Sequence, residues 1–186
     1  MKLLRILAAS VLLATTTSLT TGFAAELEEG KKVQEDLPDW YWAADRIDPN
    51  NPDLENLPPS KVEFNFKNPD EISTQAKEEV MPNGKGSTFL MRDGLGYYAI
   101  SATTAEAVVV QYTVVGTLYK QLKGSTKLNQ IDQDADSGSF SKGMAIAETE
   151  APAATVGTTM LAEGIHYINL GLVSDTKTTT DKLVVK

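Results

Sequence analysis

Seven of the eight prolines lie between Pro38 and Pro82, and beyond them only Pro152 interrupts the chain. Proline has no backbone donor and biases the residue before it toward extended conformations. The stretch from Glu26 to about Gly86 therefore cannot be a regular sheet or a long helix, and residues 26–86 are predicted to form a proline-rich, acidic, irregular arm or pre-domain. Inside it, Val62, Phe64 and Phe66 alternate with polar neighbours, which predicts a short half-buried strand. Asn68-Pro69-Asp70 can open a short helix that Pro82 closes, over residues 70–81.

From Ser87 onward the residues are Val, Ile, Thr and Tyr punctuated by glycine, the composition that suits a pleated, half-buried surface. Strands are predicted at 87–92, 96–103, 106–115, 117–122, 139–149, 156–162, 165–173 and 181–185. Turn signals separate them at Asp93-Gly94, Lys123-Gly124, Asp136-Ser137-Gly138, Glu163-Gly164 and Ser174-Asp175. Short strands at this spacing with no helical pattern between them predict an all-β domain over 87–186, an antiparallel β-sandwich. Alternation puts Val108, Val110, Tyr112 and Val114 on one side of their strand and Val109, Gln111, Thr113 and Val115 on the other.

The first five residues carry Lys2 and Arg5 and no acid, and they lead into the apolar run Ile6 to Ala14. Small residues follow at Gly22-Phe23-Ala24-Ala25. This is the pattern of a secretory signal peptide over residues 1–25, with cleavage expected after Ala24 or Ala25. Its apolar run is about half the ~20 residues a spanning helix needs. No later segment is long and apolar enough to cross a bilayer, so the exported chain is expected to be periplasmic or secreted and free of membrane spans.

Removing Lys2 and Arg5 from the 17 basic residues leaves 15 against 25 acidic ones, a formal charge of −10. Such a surface repels nucleic acid and anionic lipid. The chain has no cysteine, which removes disulfides, thiolate metal sites, cysteine nucleophiles and the usual cysteine-linked lipid anchor.

Two stretches resemble the bacterial pre-peptidase C-terminal domain. One runs from Phe89 to Leu118, with Tyr97-Tyr98-Ala99-Ile100 entering a strand and Gly116-Thr117-Leu118-Tyr119 ending the segment. The other is Leu161-Ala162-Glu163-Gly164-Ile165-His166-Tyr167-Ile168-Asn169-Leu170, similar to that family's tight Ala-Gly turn before an aromatic-rich strand. Together they cover about 40 residues, mostly turn chemistry. The resemblance implies a non-catalytic sandwich of the kind attached to an enzyme or a surface protein. This chain has His166 where the family often has a second tyrosine, and no attached enzyme is expected.

Three local patterns carry candidate chemistry. Asp132, Asp134 and Asp136 alternate in what reads as a glycine-closed turn, an arrangement that can curl oxygen ligands around calcium. An EF-hand loop would have glycine at its sixth position and glutamate at its twelfth, where this chain has Ser137 and Gly143. Trp40, Tyr41 and Trp42 offer ring faces that can stack on a sugar or grip a partner protein, or else pin the arm to the domain. Glu148 and Glu150 lie two apart on one strand, ~7 Å, the spacing of any such pair; a carboxylate hydrolase would need them. His166 shares a strand side with Ile168, Leu170 and Leu172, which reads as a hydrogen-bonded histidine at a core margin. No nucleophile elbow, phosphate loop, dinucleotide fingerprint or zinc motif is present. The expectation is an exported, non-catalytic protein that binds a protein or glycan partner at the cell envelope. The alternatives are an envelope hydrolase and a structural subunit that assembles by strand addition.

Overall fold

The computed structural model describes residues 37–66, 84–94 and 96–186. The expected leader and the expected helix over 70–81 lie outside the described residues. The described chain is almost entirely antiparallel strand, as its composition requires. After a single helical turn, α1 (Asp39–Trp42), come β1 (Lys61–Phe64), β2 (Gly84–Asp93), β3 (Gly96–Gln121), β4 (Asn129–Ala151), β5 (Thr159–Asn169) and β6 (Ser174–Val184). All six join one nearly closed sheet in the order β1-β2-β3-β5-β6, with β4 also paired to β3. Residues 39–186 form one compact unit, so the proline-rich segment contributes β1 and α1 to it.

β3 and β4 determine the shape. They pair along almost their whole lengths, Tyr97 opposite Ala151 at one end and Lys120 opposite Asn129 at the other, with a register shift between Ala105 and Val109. The first limb of β3, residues 96–105, also pairs with β2, whereas its second limb, from Gln111 on, pairs with β5. The ribbon thus runs through two walls. The first wall holds β1, β2, the first limb of β3 and residues 143–151. The second holds residues 129–141, the second limb of β3, β5 and β6.

The inward-facing residues change along β3. Ala105 and Val109, on either side of the register shift, are buried, as are Tyr112, Val114 and Leu118 farther on, while Val108 is 72% exposed. The uninterrupted alternation expected through 108–115 is broken, since residues 112–115 are all buried. Three strands expected at 96–103, 106–115 and 117–122 are one bent strand. The turns expected at Asp93-Gly94 and Lys123-Gly124 are present, and both glycines have positive φ. Those expected at Asp136-Ser137-Gly138, Glu163-Gly164 and Ser174-Asp175 lie instead within β4, β5 and β6. Gly138 and Gly164 are needed for space: a Cβ on Gly138 would collide with the Tyr112 phenol, and one on Gly164 with Thr88 Oγ1.

Between the walls lie two apolar layers and one polar layer. Phe64, Val109, Tyr112, Val114 and Ile168 form one apolar end, and Leu90, Tyr97, Leu118, Met160 and Val185 the other. Between them His166, fully buried, is bracketed by Thr103 Oγ1 at 2.9 Å from Nδ1 and Thr179 Oγ1 at 2.6 Å from Nε2. Thr179 continues to Thr88 at 2.6 Å and Thr88 to Ser101 at 3.0 Å. Each hydroxyl has one proton to give. Thr103 gives its proton to the Thr113 carbonyl, so it must accept from His166 Nδ1–H. Nε2 then accepts from Thr179, Thr179 from Thr88, and Thr88 from Ser101. The network allows one tautomer and leaves every member satisfied, which is the condition for a polar layer inside a core.

Burial pushes the His166 imidazole down to about 3 from its ordinary 6.5. The unfolded chain binds a proton below pH 6.5 that the folded chain refuses, so the folded state loses stability as pH falls from 6.5 toward 3. The slope approaches 1.4 kcal/mol per pH unit, roughly the linkage value for one proton. Denaturant unfolding of the parent and of His166→Gln between pH 7 and pH 5 measures it. The parent is expected to lose stability relative to the variant as pH falls across that window, so that the gap between them narrows; parallel profiles would contradict the assignment.

Candidate functional site

Asp132, Asp134 and Asp136 lie on β4, within a strand where a turn was expected. Being alternate residues of one strand, they point to the same side, ~7 Å apart from one to the next. Because the ribbon bends, the other limb of β4 returns alongside them. Asp132 Oδ2 accepts the Glu150 amide, Asp134 Oδ2 the Glu148 amide and Asp136 Oδ2 the Ile146 amide, each at 2.9 Å. The other oxygens of Asp132 and Asp136 accept the amides of Gln133 and Ser137 on their own limb. Each of these two carboxylates therefore joins the edge donors of two limbs that do not pair directly.

The opposite seam, between β2 and β6, uses the same device once. Asp181 Oδ2 accepts the Leu90 amide at 2.9 Å and its Oδ1 the Lys182 amide. Thr180 donates from its hydroxyl to the Pro58 carbonyl and from its amide to the Pro59 carbonyl. Prolines suit that edge, since they add acceptors and bring no donor that would need a partner. Among the described residues no three histidine or acidic side chains are gathered as one metal ion would require.

The Trp40-Tyr41-Trp42 triplet forms α1 and lies against the outer side of the second wall. Trp40 stacks on Tyr167 with ring centroids 4.7 Å apart. Tyr41 is buried and its hydroxyl accepts from Gln133. Trp42 remains 47% exposed, and the Arg46 guanidinium lies over both the Tyr41 and Trp42 rings. Ile47 continues the contact, packing with Tyr119, Leu128 and Leu161.

Below this segment is a residue the turn reading passed over. Glu163, fully buried in β5, accepts the Ile47 amide at 2.7 Å and the Tyr119 hydroxyl at 3.1 Å. Burial pushes its carboxyl above the usual range, opposed by the Ile47 amide, by Arg46 and by Tyr119. The Tyr119 phenol is driven well up by burial and by the Glu163 charge. A single acid in the apolar run from Met160 to Ile168 was the available signal, because such an acid inside a sheet needs donors.

The outer side of the first wall is different. Phe89, Met91 and Met144 are more than 40% exposed on it, alongside half-buried Tyr98, Ile100 and Ile146. Glu148 and Glu150 stand at its margin. Tyr98 donates to Glu148, and that bond, with the surrounding carboxylates, pushes its phenol up to about 12. A cleft of about 340 Å³ opens at this end, lined by Asp93, Tyr97, Tyr98, Glu150 and Pro152 among others. His166 lies in the polar layer and reaches none of these groups. No helix among the described residues is long and apolar enough to cross a membrane. No family model matches the chain, and no curated protein matches it.

If the amides alone hold the β4 aspartates, Asp132→Ala lowers stability by about 1 kcal/mol, the net worth of a surface-seam hydrogen bond. Under the same account the thermal midpoint is the same in EDTA and in millimolar calcium. A calcium-dependent rise that disappears in Asp134→Asn would place an ion at these carboxylates.

Proposed function

We propose that the chain is an exported, non-catalytic binding protein of the cell envelope that holds a protein or glycan partner on the outer side of its first wall. The observation that carries the reading is where the chemistry-bearing groups are spent. The one histidine is enclosed with its tautomer dictated by four hydroxyls, and the most buried carboxylate, Glu163, fastens the covering segment. The open surface instead offers apolar and aromatic side chains beside carboxylates, with an adjoining cleft, which suits ring stacking and hydroxyl recognition. The hydrolase alternative would ask Glu148 and Glu150 to act as a pair on an open side where Tyr98 already engages one of them.

The test is thermal unfolding with soluble peptidoglycan fragments and chitooligosaccharides, followed by mass spectrometry of the sugars. A ligand at a hundred times its dissociation constant adds about 2.7 kcal/mol, a rise of roughly 5 to 10 °C for a chain of this size. The expected result for a glycan partner is a shift lost in Tyr98→Ala. A shift lost in Trp42→Ala instead moves the site to the covering segment, no shift favours a protein partner, and cleaved sugar overturns the non-catalytic reading.

A further inference from the structure

Apart from the contact surface on the first wall, we propose that one end of the nearly closed sheet docks on a lipid bilayer, with Val108, Phe140, Leu172 and Val173 entering the headgroup layer of a zwitterionic membrane.

Three adjacent strands bring these residues together. β4 reaches this end at Ser139 and β5 at Asn169, both opposite Gln111 of β3. Phe140 and the turn over residues 170–173 therefore flank Val110 from its two sides, and a Cβ on Gly171 would lie 3.5 Å from Val110 Cγ2. Val108 follows on β3, within the register shift where the ribbon bends. Phe140 is 79% and Leu172 93% exposed, with Val108 and Val173 beside them, and the four contribute to neither apolar layer of the interior. Single exposed apolar residues are ordinary, whereas neighbours on adjoining strands make a contiguous apolar tip.

The backbone at Phe140 is held against the preference of its side chain. Its φ of 50° is the one left-handed backbone of a non-glycine residue among the described residues, and for a bulky side chain that conformation is an outlier. Glycine occurs close by, at Gly138 and Gly143, yet the strained position itself carries phenylalanine. Strain of this kind marks positions kept for something besides folding. Leu172 repeats the pattern. Its tight turn, closed by the Leu170 amide on the Val173 carbonyl at 2.9 Å, takes glycine at Gly171, where φ is 100°. The next place, where a polar turn residue is usual, holds leucine.

Shape and charge select the occupant. Side chains standing singly out of a strand bend and a hairpin tip leave no groove or flat face for a folded partner to match, whereas a fluid lipid layer closes around any protruding apolar group. Among the described residues this end carries Glu63, Glu106 and Asp175 against Lys85, Lys142 and Lys177, three of each sign, with Lys85 paired to Glu106 and Lys177 to Asp175. A neutral tip on an otherwise acidic exported chain suits a zwitterionic surface and gains nothing from an anionic one. β2 begins at this end, Gly84 opposite Ala105, and finishes at Asp93 in the cleft, so a chain docked by the tip holds its cleft away from the bilayer. Insertion by side chains alone reaches ~5–10 Å and leaves the chain on the membrane surface; binding is reversible, on the order of 0.1 mM lipid or weaker, the strength of a single acyl chain.

Flotation of the purified protein with extruded phosphatidylcholine vesicles tests this, using Phe140→Asn, Leu172→Asn, the double variant and Phe89→Ser, with the thermal midpoint of each as the check on folding. Asparagine tolerates left-handed backbone, so Phe140→Asn is expected to keep or raise the midpoint while vesicle binding falls roughly fivefold or more, from the lost apolar burial. The double variant is expected to stay folded and no longer float, and Phe89→Ser, on the outer side of the first wall, to float like the parent. A parent that does not float, a double variant that floats like the parent, or a loss confined to Phe89→Ser would overturn the proposal. So would binding that requires phosphatidylglycerol and disappears in salt, because it would be electrostatic. The tip and the first wall fail separately: a glycan shift lost in Tyr98→Ala without flotation removes the tip alone, and tip-dependent flotation without any partner on the first wall removes the other reading alone.

Discussion

The structure depends on aspartate side chains doing the work of a missing strand. When a long two-stranded ribbon bends on itself, its outer edges approach without the geometry for direct pairing, and every second amide would be left facing water or an imperfect partner. Asp132, Asp134 and Asp136 span that gap along β4, and Asp181 spans it between β2 and β6. In three of the four cases one carboxylate accepts from both sides, a neighbour on its own strand and an amide across the seam. A carboxylate does this well because it has acceptor capacity on two oxygens and no donor of its own. The result is a nearly closed sheet without a complete backbone ladder.

The same economy of donors and acceptors governs the interior. Between its two apolar layers the core carries a histidine and a chain of hydroxyls, and glycines at 86 and 164 make room for them: a Cβ on Gly86 would sit 2.6 Å from the His166 ring. Removing a single hydroxyl would strand its neighbour unsatisfied inside the core. Glu163 repeats the principle on the far side of β5, where its carboxylate fixes the entering chain at Ile47 and so determines which wall is covered. The consequence for function is that one wall is sealed from within and the other keeps its apolar side open.

Much of the fold was legible in the sequence. The β-rich composition after Ser87 announced the class, and the Asp93-Gly94 and Lys123-Gly124 turns announced themselves because left-handed backbone favours glycine. The short strand expected around Val62 to Phe66 is β1, one to two residues displaced. What misled was acidity and glycine inside strands. Asp132 to Gly138 looks like a loop by composition, yet its carboxylates serve amides 10 to 18 residues away, a separation set by where the ribbon bends. Glu163-Gly164 looks like a turn, but there the acid is an anchor and the glycine is clearance. The outer patch was invisible because its rows come from three strands, and which residues adjoin depends on a register no local pattern specifies.

The direct test of the aspartate seams is hydrogen exchange at the four bridged amides, Ile146, Glu148, Glu150 and Leu90, followed residue by residue by NMR at neutral pH. The account predicts protection at these positions comparable to that of paired amides in the neighbouring strands, and selective loss at Glu148 when Asp134 is replaced by alanine. Exchange at all four as fast as at unpaired surface amides would contradict it.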